Sequence, residues 1–342
     1  MKASAIFHIE AEKSEYREIS LEAPKDGEVL IESICSAISP GTESMIYRGH
    51  MPPGMQADSV IASLGGNLDY PFRYGYALVG KIIDHGANVD PGWQGRVVFV
   101  FHPHQSSMVV PIQECFAIPD GLSVDDALFL PNMESALNFV MDADPVFGSR
   151  VMVFGLGVVG LLTGCLLHKL PLDRLIGADP LDYRRKRGIE SGLSSVIDPL
   201  EETQWQAVLK ELFDDRGSDG VDIAFELSGK LEALNQAIEA TGFSGTIVVG
   251  SWYGTRSRTL DLGSHFHRRR INLVSSQVST IHPRLSGRWT KGRRIELAWK
   301  MIRDIRPASL ISHRFSPQNC DQAFQVASKH LENVLQVIFE YS

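Results

Sequence analysis

The chain has 342 residues, 44% of them hydrophobic and 22% charged, and a formal net charge of −8 at pH 7. That length exceeds what one hydrophobic core usually organises, so two domains are expected, and the apolar content excludes a disordered chain. The acidic balance argues against nucleic acid as a partner.

Cys35, Cys115, Cys165 and Cys320 lie far apart and form no C-x-x-C pair. Neither a disulfide framework nor a thiolate zinc site can be built from them, which fits a reducing cytoplasm. The opening stretch "MKASAIFHIEAEKSEYREIS" carries Glu10, Glu12 and Lys13 where an export signal needs an unbroken apolar run, so a cytoplasmic location is expected. Residues 151–167 are nearly apolar, but they fall short of the roughly 20 residues a spanning helix needs and are broken by glycines. No membrane insertion is expected.

From the N-terminus, short alternating or β-branched runs at 28–38, 77–86 and 95–101 are separated by the turn clusters "PKDG", "ISPGTES" and "NVDPGWQG". They predict an all-β unit, a small barrel. Segment 50–72 has no sustained period and is rich in Gly, Pro and Met, so it reads as a long loop that either covers a site or is a tolerated insertion. At Ser123 the texture changes. "SVDDALFLPNMESALNFVMD" has an N-cap serine, acids in the first turn and apolar residues at helical spacing. Strand-like and helix-like segments then alternate from "RVMVFG" to "INLVSSQ", the pattern of βαβ units around a parallel sheet. The chain closes with the helix "RRIELAWKMIRDI", a turn, the helix "CDQAFQVASKH" and the apolar strand "NVLQVIFEY". No repeat with a period of 20 to 50 residues is visible.

The most informative stretch is "RVMVFGLGVVG", an apolar strand running into Gly155-x-Gly157-x-x-Gly160 and then an apolar helix. The first glycine permits a tight turn, the second lets backbone approach a pyrophosphate, and the third lets helix and strand pack closely. Val158, Val159 and Gly160 open the helix, whose free amides point at the phosphates. A second strand, "RLIGAD", ends in Asp179, where a carboxylate can accept ribose hydroxyls and repel a 2′-phosphate, favouring NAD over NADP. Arg184 and Arg185 soften that preference, because either could reach a 2′-phosphate. Ligands of parallel sheets bind outside the carboxyl ends of the strands. That rule adds Ser228 and Gly229, Gly250 and Ser251, and Ser275, Ser276 and Gln277 as candidate cofactor contacts.

A β-rich first part, a glycine fingerprint in the middle and a returning C-terminal segment resemble the medium-chain dehydrogenase/reductase superfamily over nearly the whole chain. The resemblance implies an α/β Rossmann domain with a doubly wound parallel sheet at 133–282. It also implies a GroES-like, mostly β-barrel catalytic domain at 1–132 completed by 283–342. In the zinc alcohol dehydrogenases of that superfamily, a cysteine and a Gly-His-Glu motif supply metal ligands. The corresponding stretches here, "ISPGTESMIYRG" and "RYGYALVG", put Pro40, Tyr76 and Ala77 at those positions. No zinc is therefore expected.

"FHPHQSSMVVP" replaces the family's four-cysteine lobe. Its His102 and His104 have a spacing that can serve metals, but no third ligand is in sight, and polar loop or rim histidines are the simpler reading. "SPGTES", "YGYALVG", "HPHQ" and "INLVSSQVSTIHPR" together resemble the zinc-free branch that contains the bacteriochlorophyllide dehydrogenases, which oxidise a side group of a large pigment with NAD.

By that resemblance Thr42 contacts the substrate alcohol or the nicotinamide ribose, and Tyr76 is the candidate donor or acid/base, with a space-filling role as the alternative. Glu43 resembles the acid that orients the metal site in the zinc enzymes, or is an ordinary turn carboxylate. Glu134 is either a further site residue or a favourable charge at a helix start. Met45 stands where a proton-relay histidine is often found, so that relay looks broken. Arg268, Arg269, Arg270, Arg288, Arg293 and Arg294 form a basic stretch that is either a solvated or subunit-contact surface or a clamp for an anionic group on the substrate. The expectation is a zinc-independent, NAD-dependent oxidoreductase that interconverts a secondary alcohol and a ketone on a fairly large biosynthetic molecule, as a homodimer. A quinone or enoyl reductase using NADPH and a non-catalytic NAD(H)-binding protein are the alternatives.

Overall fold

Strand Glu28–Ile38 organises the first part of the chain because three others pair with it. Its N-terminal half meets Ser107–Pro111 antiparallel (Glu28 opposite Pro111), and its C-terminal half meets Gln336–Glu340 antiparallel (Cys35 opposite Glu340). Along its other edge lies Leu78–His85. Register shifts at Leu30/Ile31 and Ser33/Cys35 bend the strand, so that one stretch of chain serves two partners in succession. The computed structural model describes residues 1–52, 54–57, 61–214, 219–329 and 332–341.

The chain forms two compact units, one of Met1–Pro131 with Ile302–Ser342 and one of Asn132–Met301. The chain returns to the first unit inside the helix Lys291–Ile305, later than residue 283. That helix is one continuous amphipathic run, so no turn marks the crossing in the sequence.

The first unit holds a seven-stranded, mostly antiparallel sheet and the two-stranded hairpin Lys2–Glu10/Lys13–Ser20. Neither that hairpin nor the strand Ile311–Phe315 was expected; the mixed residues "ISHRF" show no clean alternation. Val29, Ile31, Leu78, Ile82, Val98 and Val100 build one core, and Ile6, Ile38, Tyr47, Phe324 and Phe339 build another. The second core explains the return of the chain, since the C-terminal helix Cys320–Ser328 and the strand after it supply the residues that bury Tyr47 and Ile38. Of the expected 50–72 loop, residues 53 and 58–60 lie outside the described residues. The remainder includes a bridge between Gln56 and Asn67 and a 3-10 turn at Ala62–Leu64.

In the second unit, six parallel strands run in the order Ser195–Ile197, Arg174–Ala178, Arg150–Phe154, Val221–Glu226, Thr241–Val249, Asn272–Ser275. The interior strands read as nearly continuous apolar runs because helices cover both faces. The chain winds one way from Arg150–Phe154 and then restarts in the other direction at Val221–Glu226. The switch point of this doubly wound sheet therefore lies between those two strands. Among the described residues no helix is long and apolar enough to cross a membrane.

Candidate functional site

At the switch point, the three glycines differ in what a side chain would meet. Gly155 has φ +90°, a conformation L side chains rarely adopt, and a Cβ there would lie 2.6 Å from the Ser228 backbone. A Cβ on Gly160 would lie 1.9 Å from the Gly155 carbonyl oxygen. Those two positions are closed by the fold itself. Gly157 is different: its backbone angles are ordinary, and the only atom near a Cβ would be Arg184 Nη1 at 3.9 Å. It caps the helix Val158–His168 with no side-chain hydrogen bond, so the first-turn amides at Val158, Val159 and Gly160 face an open approach. A pyrophosphate needs an approach of this kind.

Asp179, at the carboxyl end of Arg174–Ala178, is only 3% exposed. Its Oδ2 accepts the Leu156 amide at 2.8 Å and its Oδ1 the Leu181 amide at 2.9 Å. The carboxylate therefore fixes the glycine turn from below as well as standing beside it, a role the sequence did not indicate. Each oxygen keeps a second acceptor direction for a ribose hydroxyl. Arg184 Nη1 lies 3.8 Å from Asp179, and Arg185 donates to the Asp179 and Pro180 carbonyls.

The neighbouring strand ends draw together the next candidates. Gly229 N donates to Ser251 Oγ, which itself donates to the Glu226 carbonyl, and Gly250 N donates to the same carbonyl. Sequence reasoning passed over Glu226. Its buried carboxylate accepts from Ser228 N and Oγ and from the Tyr253 hydroxyl, and burial beside it pushes the Tyr253 phenol upward. An acid ending the apolar run "VDIAF" was the available signal. Ser276 turns its hydroxyl away from the strand ends, towards Asn138 and Asp142 of helix Leu130–Ala143, whereas Gln277 is exposed and bonds locally to Ser279.

Two expectations in this unit need correction. Arg294 is not part of a solvated basic face but fully buried, paired with Glu134 at 2.8 Å. Glu134, the fifth residue of helix Leu130–Ala143 and 2% exposed, does lie near the helix start, but it is not a free charge there; the buried guanidinium claims it. Arg288 and Arg293 do lie at the surface, with Arg293 stacked on Trp289. Arg269 covers Phe213 and bonds the Glu239 and Thr241 carbonyls, while Arg268 and Arg270 are exposed.

In the other unit, Thr42 begins the short helix Thr42–Tyr47. That helix is held by Tyr47, which stacks on Phe324 and donates to Asp321 at 3.0 Å. Glu43 is fully buried rather than an ordinary turn carboxylate: Oε1 accepts Ser39 N at 2.8 Å and Oε2 meets His104 Nε2 at 2.8 Å. His104 Nδ1 lies 2.8 Å from Ser36 Oγ, which lies 3.0 Å from the Tyr341 hydroxyl. A carboxylate only accepts, so Nε2 carries the proton, and in the neutral ring a chain runs from Tyr341 through Ser36 and His104 to Glu43. His104 is therefore a buried linker, not a rim histidine. Gly75, with φ +119°, leaves room for its ring, because a Cβ there would come within 2.8 Å of it.

His102 is also buried, bonded to the Pro103 carbonyl, and burial pushes it down to about 4. His8, held by Ser14, is pushed down to about 3 by burial and then by His104. Tyr76 is half-buried, with its ring edge-on to Tyr74 at 6.1 Å.

The second unit has a doubly wound α/β fold with a glycine turn whose helix amides lie open, and the first unit is β-rich. Residues 158–291 match a family model described as zinc-binding dehydrogenase. The chain is 25% identical to D-guloside 3-dehydrogenase of Escherichia coli (strain K12) over 234 residues, 68% of this chain and 66% of that protein, just under two thirds of its length. The fold is shared with an alcohol dehydrogenase from E. coli CFT073 complexed with NADH (TM-score 0.78, 18% identity, 99% of each chain). A putative zinc-binding dehydrogenase from Sinorhizobium meliloti 1021 bound to NADP shares it too (TM-score 0.76, 19% identity, 99% of each chain). Residues 158–291 are thus similar to a dehydrogenase family, and the solved structures share the fold of nearly the whole chain.

Proposed function

We propose that the protein is a nicotinamide-dependent oxidoreductase that interconverts a secondary alcohol and a ketone without zinc, prefers NAD to NADP, and acts on a fairly large biosynthetic substrate. The observation that carries this reading is Gly157: closed glycines on either side and an open one between them form a cradle that a Cβ would obstruct. The amides of Val158, Val159 and Gly160 hold the pyrophosphate, and Asp179 accepts the adenosine ribose hydroxyls through its remaining lone pairs. The bound dinucleotide supplies the hydride acceptor or donor.

Zinc does not suit the donor set. Pro40 and Ala77 carry no ligating atom, and among the described residues no three His, Cys, Asp or Glu side chains gather to hold a metal. Glu43, the counterpart of the acid that orients the metal site, is already committed to His104. The substrate oxygen is therefore bound by hydrogen-bond donors, the Thr42 hydroxyl and the Tyr76 phenol, with Tyr76 Oη taking or returning its proton. The relative's name specifies dehydrogenation at position 3 of a guloside, which favours a polyhydroxylated substrate.

Arg184, 3.8 Å from Asp179 and beside Gly157, favours a weaker second use of NADP. The test is fluorescence titration with NADH and NADPH, zinc analysis of the same sample, and an activity screen of glycosides, polyols and quinones. Tighter NADH binding, substoichiometric zinc and turnover of a secondary alcohol are expected. Stoichiometric zinc, NADPH-driven quinone reduction or binding without any turnover would overturn the reading.

A further inference from the structure

The buried Arg294 does something the cofactor cradle does not explain. A guanidinium has five N–H donors, and here each has an acceptor. Nε and Nη2 donate to Glu134 Oε1 at 3.1 and 2.8 Å, and Nη2 also donates to the Val278 carbonyl. Nη1 donates to Asn138 Oδ1 and, at 3.2 Å, to the Thr280 carbonyl. Asn138 passes the contact on to Ser276 Oγ at 2.9 Å, and Ser276 Oγ donates to Asp142 at 2.6 Å. The segment 276–280 is thus tied at Ser276, Val278 and Thr280 to one face of helix Leu130–Ala143. It leaves the carboxyl end of the edge strand Asn272–Ser275, and its first amide still bonds the Val249 carbonyl.

The topology says which half of a dinucleotide that segment meets. The pyrophosphate belongs at the glycine turn after Arg150–Phe154, and Asp179 lies on the side of the strand Arg174–Ala178. The adenosine half therefore goes that way, and the nicotinamide half must run to the opposite side, past the ends of Val221–Glu226, Thr241–Val249 and Asn272–Ser275.

We propose that Arg294 is a positioning residue: with Glu134, Asn138 and Asp142 it fixes the backbone of residues 276–280 as the wall against which the nicotinamide ring is oriented. This rests on the dinucleotide reading above. It also explains why a charge is buried here, because a planar fork can bind a carboxylate, an amide and two carbonyls at once, whereas a lysine, with three donors on a point charge, cannot.

The experiment compares NADH with ADP-ribose, which lacks the nicotinamide, by calorimetry on the wild type, Arg294→Lys and Ser276→Ala. The wild type should hold NADH more tightly than ADP-ribose. Arg294→Lys should weaken NADH by about five- to tenfold, the effect of losing the two carbonyl bonds, while leaving ADP-ribose within about twofold. Ser276→Ala leaves no buried charge behind and should show the same split at about two- to threefold, so the proposal stays testable if Arg294→Lys does not fold. Equal weakening of both ligands, or no change in either, would overturn the latch. A wild type that binds neither ligand would instead overturn the cofactor reading itself.

Discussion

The glycine turn and the Glu43–His104 chain are built on opposite principles. The turn is made of backbone: its shape follows from three glycines within a span of six residues, and a single carboxylate, Asp179, braces it. The Glu43 chain is made of side chains from three distant stretches, Ser36 with Glu43, His104, and Tyr341, each useless to the arrangement without the others. A backbone site tolerates change wherever space is open and fails where a Cβ has nowhere to go. A buried side-chain chain fails when any polar member loses its partner.

The sharpest contrast lies within the turn itself. Gly160→Ala places a carbon on the Gly155 carbonyl, so the turn and the adjoining helix must shift. The cost should reach about 3 kcal/mol, lowering the Tm of the second unit by roughly 6–12 °C in a calorimetric scan. An unchanged Tm would mean that the close approach of Gly155 and Gly160 is not required. Glu43→Ala should cost the first unit about 3 kcal/mol by leaving His104 Nε2 without an acceptor in a dry site, and urea unfolding would measure it. A loss under about 0.5 kcal/mol would show that the chain does not act as a unit.

Acid should separate the two regions more gently. His8 and His102 both sit in the first unit with folded values, about 3 and about 4, well below the unfolded 6.5. Below pH 6.5 the unfolded chain takes up protons that the folded one refuses, so stability is full above that value. It then falls as the pH drops towards 4, by about 1.4 kcal/mol per pH unit for each histidine at most. The first unit should therefore lose its fold earlier on acidification. Replacing His102 with Asn should flatten the decline, and an unaltered pH profile in that variant would contradict the assignment.

Much of this architecture was readable because its determinants are local. The alternation of apolar strands and helices from Arg150 to Ser275, the N-cap at Ser123 and the long strand Glu28–Ile38 all lie in the periodicity of neighbouring residues. Ser123 Oγ does accept the Asp126 amide, as the cap pattern requires. The glycine turn was legible for the same reason.

What stayed hidden depends on residues that meet only after folding. Arg294 sits in a run of basic residues, and nothing in "KGRR" distinguishes the arginine that faces inward from the one stacked on Trp289. His104 reads as a polar loop residue in the sequence because its partners Ser36 and Glu43 lie more than sixty residues away. The hairpin Lys2–Glu10/Lys13–Ser20 is masked by its charged outer face, since strand Lys13–Ser20 buries only one of its eight residues.

Gly157 offers the most direct measurement of the central claim, because it is the one fingerprint glycine whose side-chain space is open. NADH titration by nicotinamide fluorescence should saturate with the wild type and be competed away by ADP-ribose. With Gly157→Val it should fail while the melting temperature stays within about 2 °C, since the added atoms occupy only the approach to the helix amides. Undiminished NADH binding in that folded variant would contradict the account.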